Sequence, residues 1–265
     1  MRGLVAVLCI LVLLDASPVQ AAETKAPVDV VLLLAIDASA SVTQNVLATQ
    51  LDGHARAFRD PGVQSALRSG PAGQIAVAVM LWSSPIDTRL TLPWRIVRTP
   101  EDARQLAADI ASVPEAERAG STGLGAALAA GRRHELNAPY RAPRRVIDIS
   151  SNGFSNIGPR PDSVKPSLEA AEIEVNGLVI LDEYDWLEQY FQDSVITGFA
   201  SFVLVAHDTR TYADALLRKL IRELSYQPSG RRQLAVRSSV DTILLQALYG
   251  GNGQPLRRVE QIDGY

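Results

Sequence analysis

The chain has 265 residues, a formal net charge of −3, 47% hydrophobic residues and 21% charged ones, a balance that supplies a sizeable core and excludes the charge-rich, apolar-poor signature of disorder. Lys and Arg are spread along the chain rather than clustered, so it lacks the electrostatic footprint of a nucleic-acid or anionic-membrane binder. The single cysteine, Cys9, falls in the first apolar segment, which excludes a disulfide framework beyond it.

In chain order, Arg2, the apolar run Leu4 to Leu14 and the small residues around Val19-Gln20-Ala21 read as a secretory signal cleaved after Ala21 or Ala22. The run is shorter than the ~20 residues a spanning helix needs. Cys9 sits in its middle rather than at its end, which argues against a lipoprotein. The expected organisation is a signal peptide at 1–21, a linker at 22–27, a folded domain at 28–225 and a C-terminal extension at 226–265. The mature product would then be exported, periplasmic or secreted, with no membrane span.

Val28 to Ile36 is apolar except for Asp29, as in a strand buried on both faces. Leu47, Leu51, Ala55 and Phe58 follow at the spacing of one helix face, and that helix should stop before Pro61. Strands are expected at Ile75 to Trp82 and Arg89 to Val97, then helices at Pro100 to Ser112 and Gly123 to Leu136. Next come a strand at Val146 to Ser150, a helix at Ser163 to Ala171, a strand at Val175 to Leu181 and a helical stretch at Trp186 to Val195. A strand at Phe202 to Ala206 and a helix at Tyr212 to Leu224 complete the series. The alternation predicts an α/β fold, a mostly parallel central sheet with helices on both faces in a three-layer sandwich. Beyond Tyr226 the alternation stops, with at most a short helix around Val240 to Leu248.

In open sheets of this kind ligands bind beyond the carboxyl ends of the strands. The first strand ends in Asp37-Ala38-Ser39-Ala40-Ser41, a carboxylate and two hydroxyls at alternate residues. Oxygen donors suit a hard cation such as Mg²⁺ or Mn²⁺, although Ser39, Ser41 or Thr43 would serve equally as a helix cap.

Two further segments complete a pattern. Asp37-x-Ser39-x-Ser41 resembles the first element of the metal-ion-dependent adhesion site of von Willebrand factor A (VWA) domains. Gly120-Ser121-Thr122-Gly123-Leu124-Gly125 resembles the loop that carries its threonine. Val146-Ile147-Asp148-Ile149-Ser150-Ser151-Asn152-Gly153 occupies the place of the third element, with Asn152 where the family has aspartate. The chain is also similar to a bacterial family of secreted VWA-like domains of unknown function, in Ile75 to Trp82, Leu92-Pro93-Trp94, Arg144 to Asn156, Asn176-Gly177-Leu178 and Tyr190 to Phe202. The resemblance implies that Ser39, Ser41 and Thr122 coordinate the cation directly, that Asp37 and Asn152 act largely through water, and that an exposed acidic residue of a protein partner completes the shell. Asn152 removes one negative charge from that set. Asp148 cannot replace it, being roughly 13 Å away at ~3.3 Å per strand residue, and is expected to be a buried, hydrogen-bonded carboxylate.

Other chemistry is missing. His54, His134 and His207 are far apart, there is no G-x-S-x-G turn or P-loop, and Gly123-Leu124-Gly125 lacks the third glycine of a dinucleotide fingerprint. Trp82, Trp94 and Trp186 are expected at the core or its edge. The sequence therefore points to a non-enzymatic binding module that engages a protein through a divalent cation. The alternatives are a metal-independent interaction domain and a metal-assisted hydrolase.

Overall fold

The structure is a computed structural model and describes residues 25–114 and 120–225. The expected signal segment, the expected C-terminal extension and its short helix lie outside the described residues. The first half of the domain runs β1 (Ala26–Pro27), β2 (Val30–Asp37), α1 (Gln44–Arg59), α2 (Pro61–Ala66), β3 (Ile75–Trp82), β4 (Leu90–Val97) and α3 (Pro100–Ala111). The second runs α4 (Leu124–Asn137), β5 (Tyr140–Arg141), β6 (Arg144–Ser151), α5 (Pro161–Ala170), β7 (Ile173–Ile180), α6 (Leu187–Tyr190), a π-helical turn (Phe191–Val195), β8 (Val203–Ala206) and α7 (Tyr212–Leu224).

Six strands form one sheet in the order β4-β3-β2-β6-β7-β8. All neighbours are parallel except β3 and β4, which are antiparallel with a register irregularity around Val79. All eight residues of β2 are buried because helices cover both faces of the sheet. Val30, Leu32, Leu34 and Ile36 enter one core with Leu47, Leu51 and Phe58 of α1, Leu106 and Ile110 of α3, and Leu216 and Leu220 of α7. Leu33 and Ala35 enter the other with Leu124 and Leu128 of α4, Leu168 of α5 and Phe191. Side chains alternating across the strand divide one apolar run between two cores. The predicted α/β sandwich is the observed architecture.

Local chemistry explains where the elements start and where expectation and structure differ. Thr99 and Asp102 form a reciprocal capping box that opens α3. The helix expected to stop before Pro61 does stop. Asp60 then accepts from the backbone of Gly62 and Val63, and Pro61 at the first helical position starts the unforeseen α2. The expected linker carries β1, which pairs in parallel with β5. The helical stretch from Trp186 resolves into a single α-turn and a π-helical turn. Trp82 is buried, but Trp186 is 46% exposed, so it is a surface residue rather than a core anchor.

The core also holds charge. Lys219 of α7 is fully buried and paired with Asp148 of β6 and with Glu223 one turn further along. Asn176 of β7 donates to the same Glu223 oxygen at 2.8 Å and accepts from the backbone of Phe202 at 3.0 Å. Asp148 is thus the buried, partnered carboxylate that its place in the strand predicts.

Chain order turns back at one place in the sheet. From β2 the chain builds outward through β3 and β4, then returns to β2's other side and builds through β6, β7 and β8. The crevice beyond the carboxyl ends of β2 and β6 is therefore the switch point at which such sheets bind ligands.

A candidate metal centre at the strand switch point

Asp37 is the last residue of β2 and is wholly buried. Its Oδ1 accepts from the Ser39 backbone N–H at 2.7 Å, and its Oδ2 accepts from the Ser151 hydroxyl. Burial pushes its carboxyl up to about 6, against the lowering effect of those hydrogen bonds. A neighbouring cation would pull it the other way. Ser39 Oγ lies 3.3 Å from Ser41 Oγ and 3.3 Å from Thr122 Oγ1. Ser41 Oγ donates to Asn152 Oδ1 at 3.1 Å. The structure thus brings together all five residues singled out from the sequence.

Backbone bonds hold the contributing loops. Ala40 N–H donates to Gly120 O at 3.1 Å and Gly123 N–H to Ser83 O at 2.7 Å. Asn156 clamps the threonine from both sides, its Oδ1 accepting from Thr122 N–H at 2.8 Å and its N–H donating to Thr122 O at 2.9 Å. Gly125 lets α4 approach the third loop, since a Cβ there would stand 2.0 Å from Pro159 O. Gly153 lies over the hydroxyls, where a Cβ would be 3.8 Å from Ser41 Oγ and 3.9 Å from Thr122 Oγ1.

The donor set fits a hard cation. An octahedron with bonds of 2.0–2.1 Å to Mg²⁺ has edges of about 3 Å between adjacent oxygens. The 3.3 Å spacings about Ser39 come near that edge. The donors are hydroxyls and one amide. Accordingly, no group of three His, Cys, Asp or Glu suited to a metal occurs among the described residues.

Sequence reasoning missed four contributors. Ser151 holds Asp37. Gln50 of α1 is fully buried and ties the strand ends together, donating to Asp37 O at 3.2 Å and accepting from Ser150 Oγ at 3.0 Å. Asn156 fixes Thr122. Asp182, the second residue after β7, lies with Oδ2 3.4 Å from Asn152 Nδ2. The available signal was its position, an acidic residue just past a parallel strand. Two of the histidines bind backbone carbonyls: His54 Nδ1 donates to Gln50 O at 2.7 Å and His134 Nε2 to Thr88 O at 2.9 Å.

The strand order, the antiparallel β4 edge and the loops at the switch point define a fold of the VWA type. The chain belongs to the family described as protein of unknown function (DUF1194), whose family model matches residues 27–228. Among solved structures it is similar to a von Willebrand factor type A protein from Catenulispora acidiphila, with 15% identity, a TM-score of 0.53 and coverage of 75% of this chain and 43% of that one. It is similar to the vWF domain of the type V pili tip protein Mfa5 from Porphyromonas gingivalis, with 9% identity, a TM-score of 0.51 and coverage of 76% and 98%. Proximal thread matrix protein 1 from the mussel byssus matches with 15% identity, a TM-score of 0.50 and coverage of 74% of this chain and 48% of that one. This chain thus spans about half the length of the mussel protein. At these identities the likeness is one of fold. No curated protein matches the sequence.

Proposed function

We propose that residues 28–225 are an exported binding module that presents a divalent cation, Mg²⁺ or Mn²⁺, to an acidic side chain of a protein partner. Ser39, Ser41 and Thr122 would hold the cation, with Asp37 and Asn152 beside them. When bound, the cation would supply a Lewis-acidic position for a partner carboxylate. The observation that carries this reading is the convergence of three hydroxyls from two loops at the switch point, at octahedral-edge spacing. A VWA-type fold in a pilus tip protein is consistent with a binding role in the cell envelope, as an analogy of fold. No helix of the described residues is long and apolar enough to cross a membrane.

The test is to immobilise the mature domain and pass envelope extract over it with Mg²⁺ or with chelator. Proteins retained only with Mg²⁺ support the reading. A second reading rests on the hydrogen bonds themselves. Thr122 donates to Ser39 and Ser41 donates to Asn152, so the hydroxyls also satisfy one another without metal. Retention that is indifferent to chelator would favour this metal-independent interaction domain. The reading is non-enzymatic, and turnover of any ester or phosphoester in a substrate panel would replace it with the hydrolase.

A further inference from the structure

The third loop faces the hydroxyls with an amide, and an amide has two unlike ends. A carboxylate at 152 would offer oxygen whichever way it turned. Asn152 must be held, because its Nδ2 carries two N–H donors that would repel a cation. Asn152 is buried, at 1% exposure, so solvent does not fix its orientation.

We infer that Asp182 is the positioning residue of this centre, fixing the Asn152 amide with its oxygen toward the hydroxyl cluster. The inference rests on the cation reading above. Asn152 Oδ1 accepts from Ser41 Oγ at 3.1 Å, while Nδ2 faces Asp182 Oδ2 at 3.4 Å and Ser41 O at 3.5 Å. The amide nitrogen thus has two acceptors, one of them the backbone carbonyl of Ser41 itself, and Asp182 is the one that a side chain supplies. An Nδ2 that faces a carboxylate also leaves more electron density on Oδ1, as a carboxylate does for a metal-bound histidine.

Sheet register brings the two residues together. β6 and β7 run in parallel with Ser151 opposite Val179, so the chain leaving β7 passes the chain leaving β6. Asp182 is exposed, and no other hydrogen bond to its side chain is found among the described residues. Its neighbour Glu183, also exposed, has no hydrogen bond to Asn152 among the described residues and serves as a control for charge alone.

The test is calorimetric titration of the full mature chain with Mn²⁺ at fixed ionic strength, with circular dichroism to confirm folding. Asp182→Ala should bind Mn²⁺ about 10–100-fold more weakly, the usual cost of losing a partner that orients a ligand. Asp182→Asn should stay within a few-fold of wild type, because its carbonyl still accepts from Nδ2. Glu183→Gln should match wild type. In an Asn152→Asp background nothing needs orienting, so Asp182→Ala should cost no affinity there. Equal binding by wild type and Asp182→Ala would overturn the inference, as would an equal loss in both backgrounds or an Asp182→Asn as weak as Asp182→Ala. Absence of Mn²⁺ binding by wild type would overturn the cation reading together with it.

Discussion

Lys219 Nζ lies 2.7 Å from Glu223 Oε1 and pairs on its other side with Asp148, so one buried cation serves two buried carboxyl groups. Burial, reinforced by the Asp148 charge and opposed by Lys219, holds the Glu223 carboxyl up to about 8. Asn176 of β7 faces the same group, and His54 of α1 lies within its electrostatic reach. A carboxyl with a raised value binds its proton more tightly folded than unfolded. Its contribution is fully present below the unfolded value near 4.5 and is lost as pH rises through about 8. Wild type should lose stability over that window relative to Glu223→Gln, by urea midpoints at intervals between pH 5 and 8.5. Parallel curves would refute it.

Removing the cation of that cluster should be costly. Lys219→Met leaves Asp148 and Glu223 buried without their partner, and deleting one member of a buried pair costs about 3–5 kcal/mol. The loss should be larger at pH 8 than at pH 5, where Glu223 keeps its proton. Chemical denaturation at the two pH values measures both.

His54 works in the opposite direction. Burial pushes its imidazole down to about 4, so it folds neutral, and its contribution is present above 6.5 and lost as pH falls through about 4. A His54→Gln variant should show a shallower fall in melting temperature between pH 6.5 and 4 than wild type.

At the candidate metal centre, Asn152→Asp adds a charge to a set whose only carboxylate among the five residues is Asp37. A tenfold gain in Mn²⁺ affinity, ~1.4 kcal/mol, is the expected result in calorimetry. Ser39→Ala should abolish Mn²⁺ binding, because Ser39 lies at the shared corner of both 3.3 Å contacts.

Gly125→Ala tests how the loops are held. Its Cβ would meet Pro159 O at 2.0 Å, a backbone contact that cannot rotate away. A stability loss of roughly 1–3 kcal/mol is expected, accompanied by weaker Mn²⁺ binding, because Asn156 and Thr122 depend on the same loop approach. Thermal unfolding with and without Mn²⁺ reads both.

The parts of this molecule that were legible in its sequence are those written in local pattern. The run at β2, the spacing of Leu47, Leu51, Ala55 and Phe58, and the three polar strand-end segments each carry their meaning within a few residues. What escaped depends on register between distant strands. Nothing near Asp182 announces Asn152, because their proximity follows from Ser151 facing Val179. Lys219 and Glu223, four residues apart on a helix, look like a surface ion pair. They are buried because α7 packs on the sheet through Leu216, Leu220 and Leu224, which sets them beside Asp148 of β6. Gln50 reads as one more polar residue of an amphipathic helix, because its partners are the ends of two different strands.

The outer strand β4 carries exposed Pro93 and meets β3 through an irregular register. Proline and bulges are the devices by which sheets discourage a foreign strand from zipping onto their rim. This side of the molecule is thereby made unwelcoming to fibre-like stacking and to capture of an extended peptide by strand addition. On the proposed reading a partner would instead be met at the end of the sheet, by a small set of loop atoms rather than by a ladder of backbone, where selectivity can be retuned one side chain at a time.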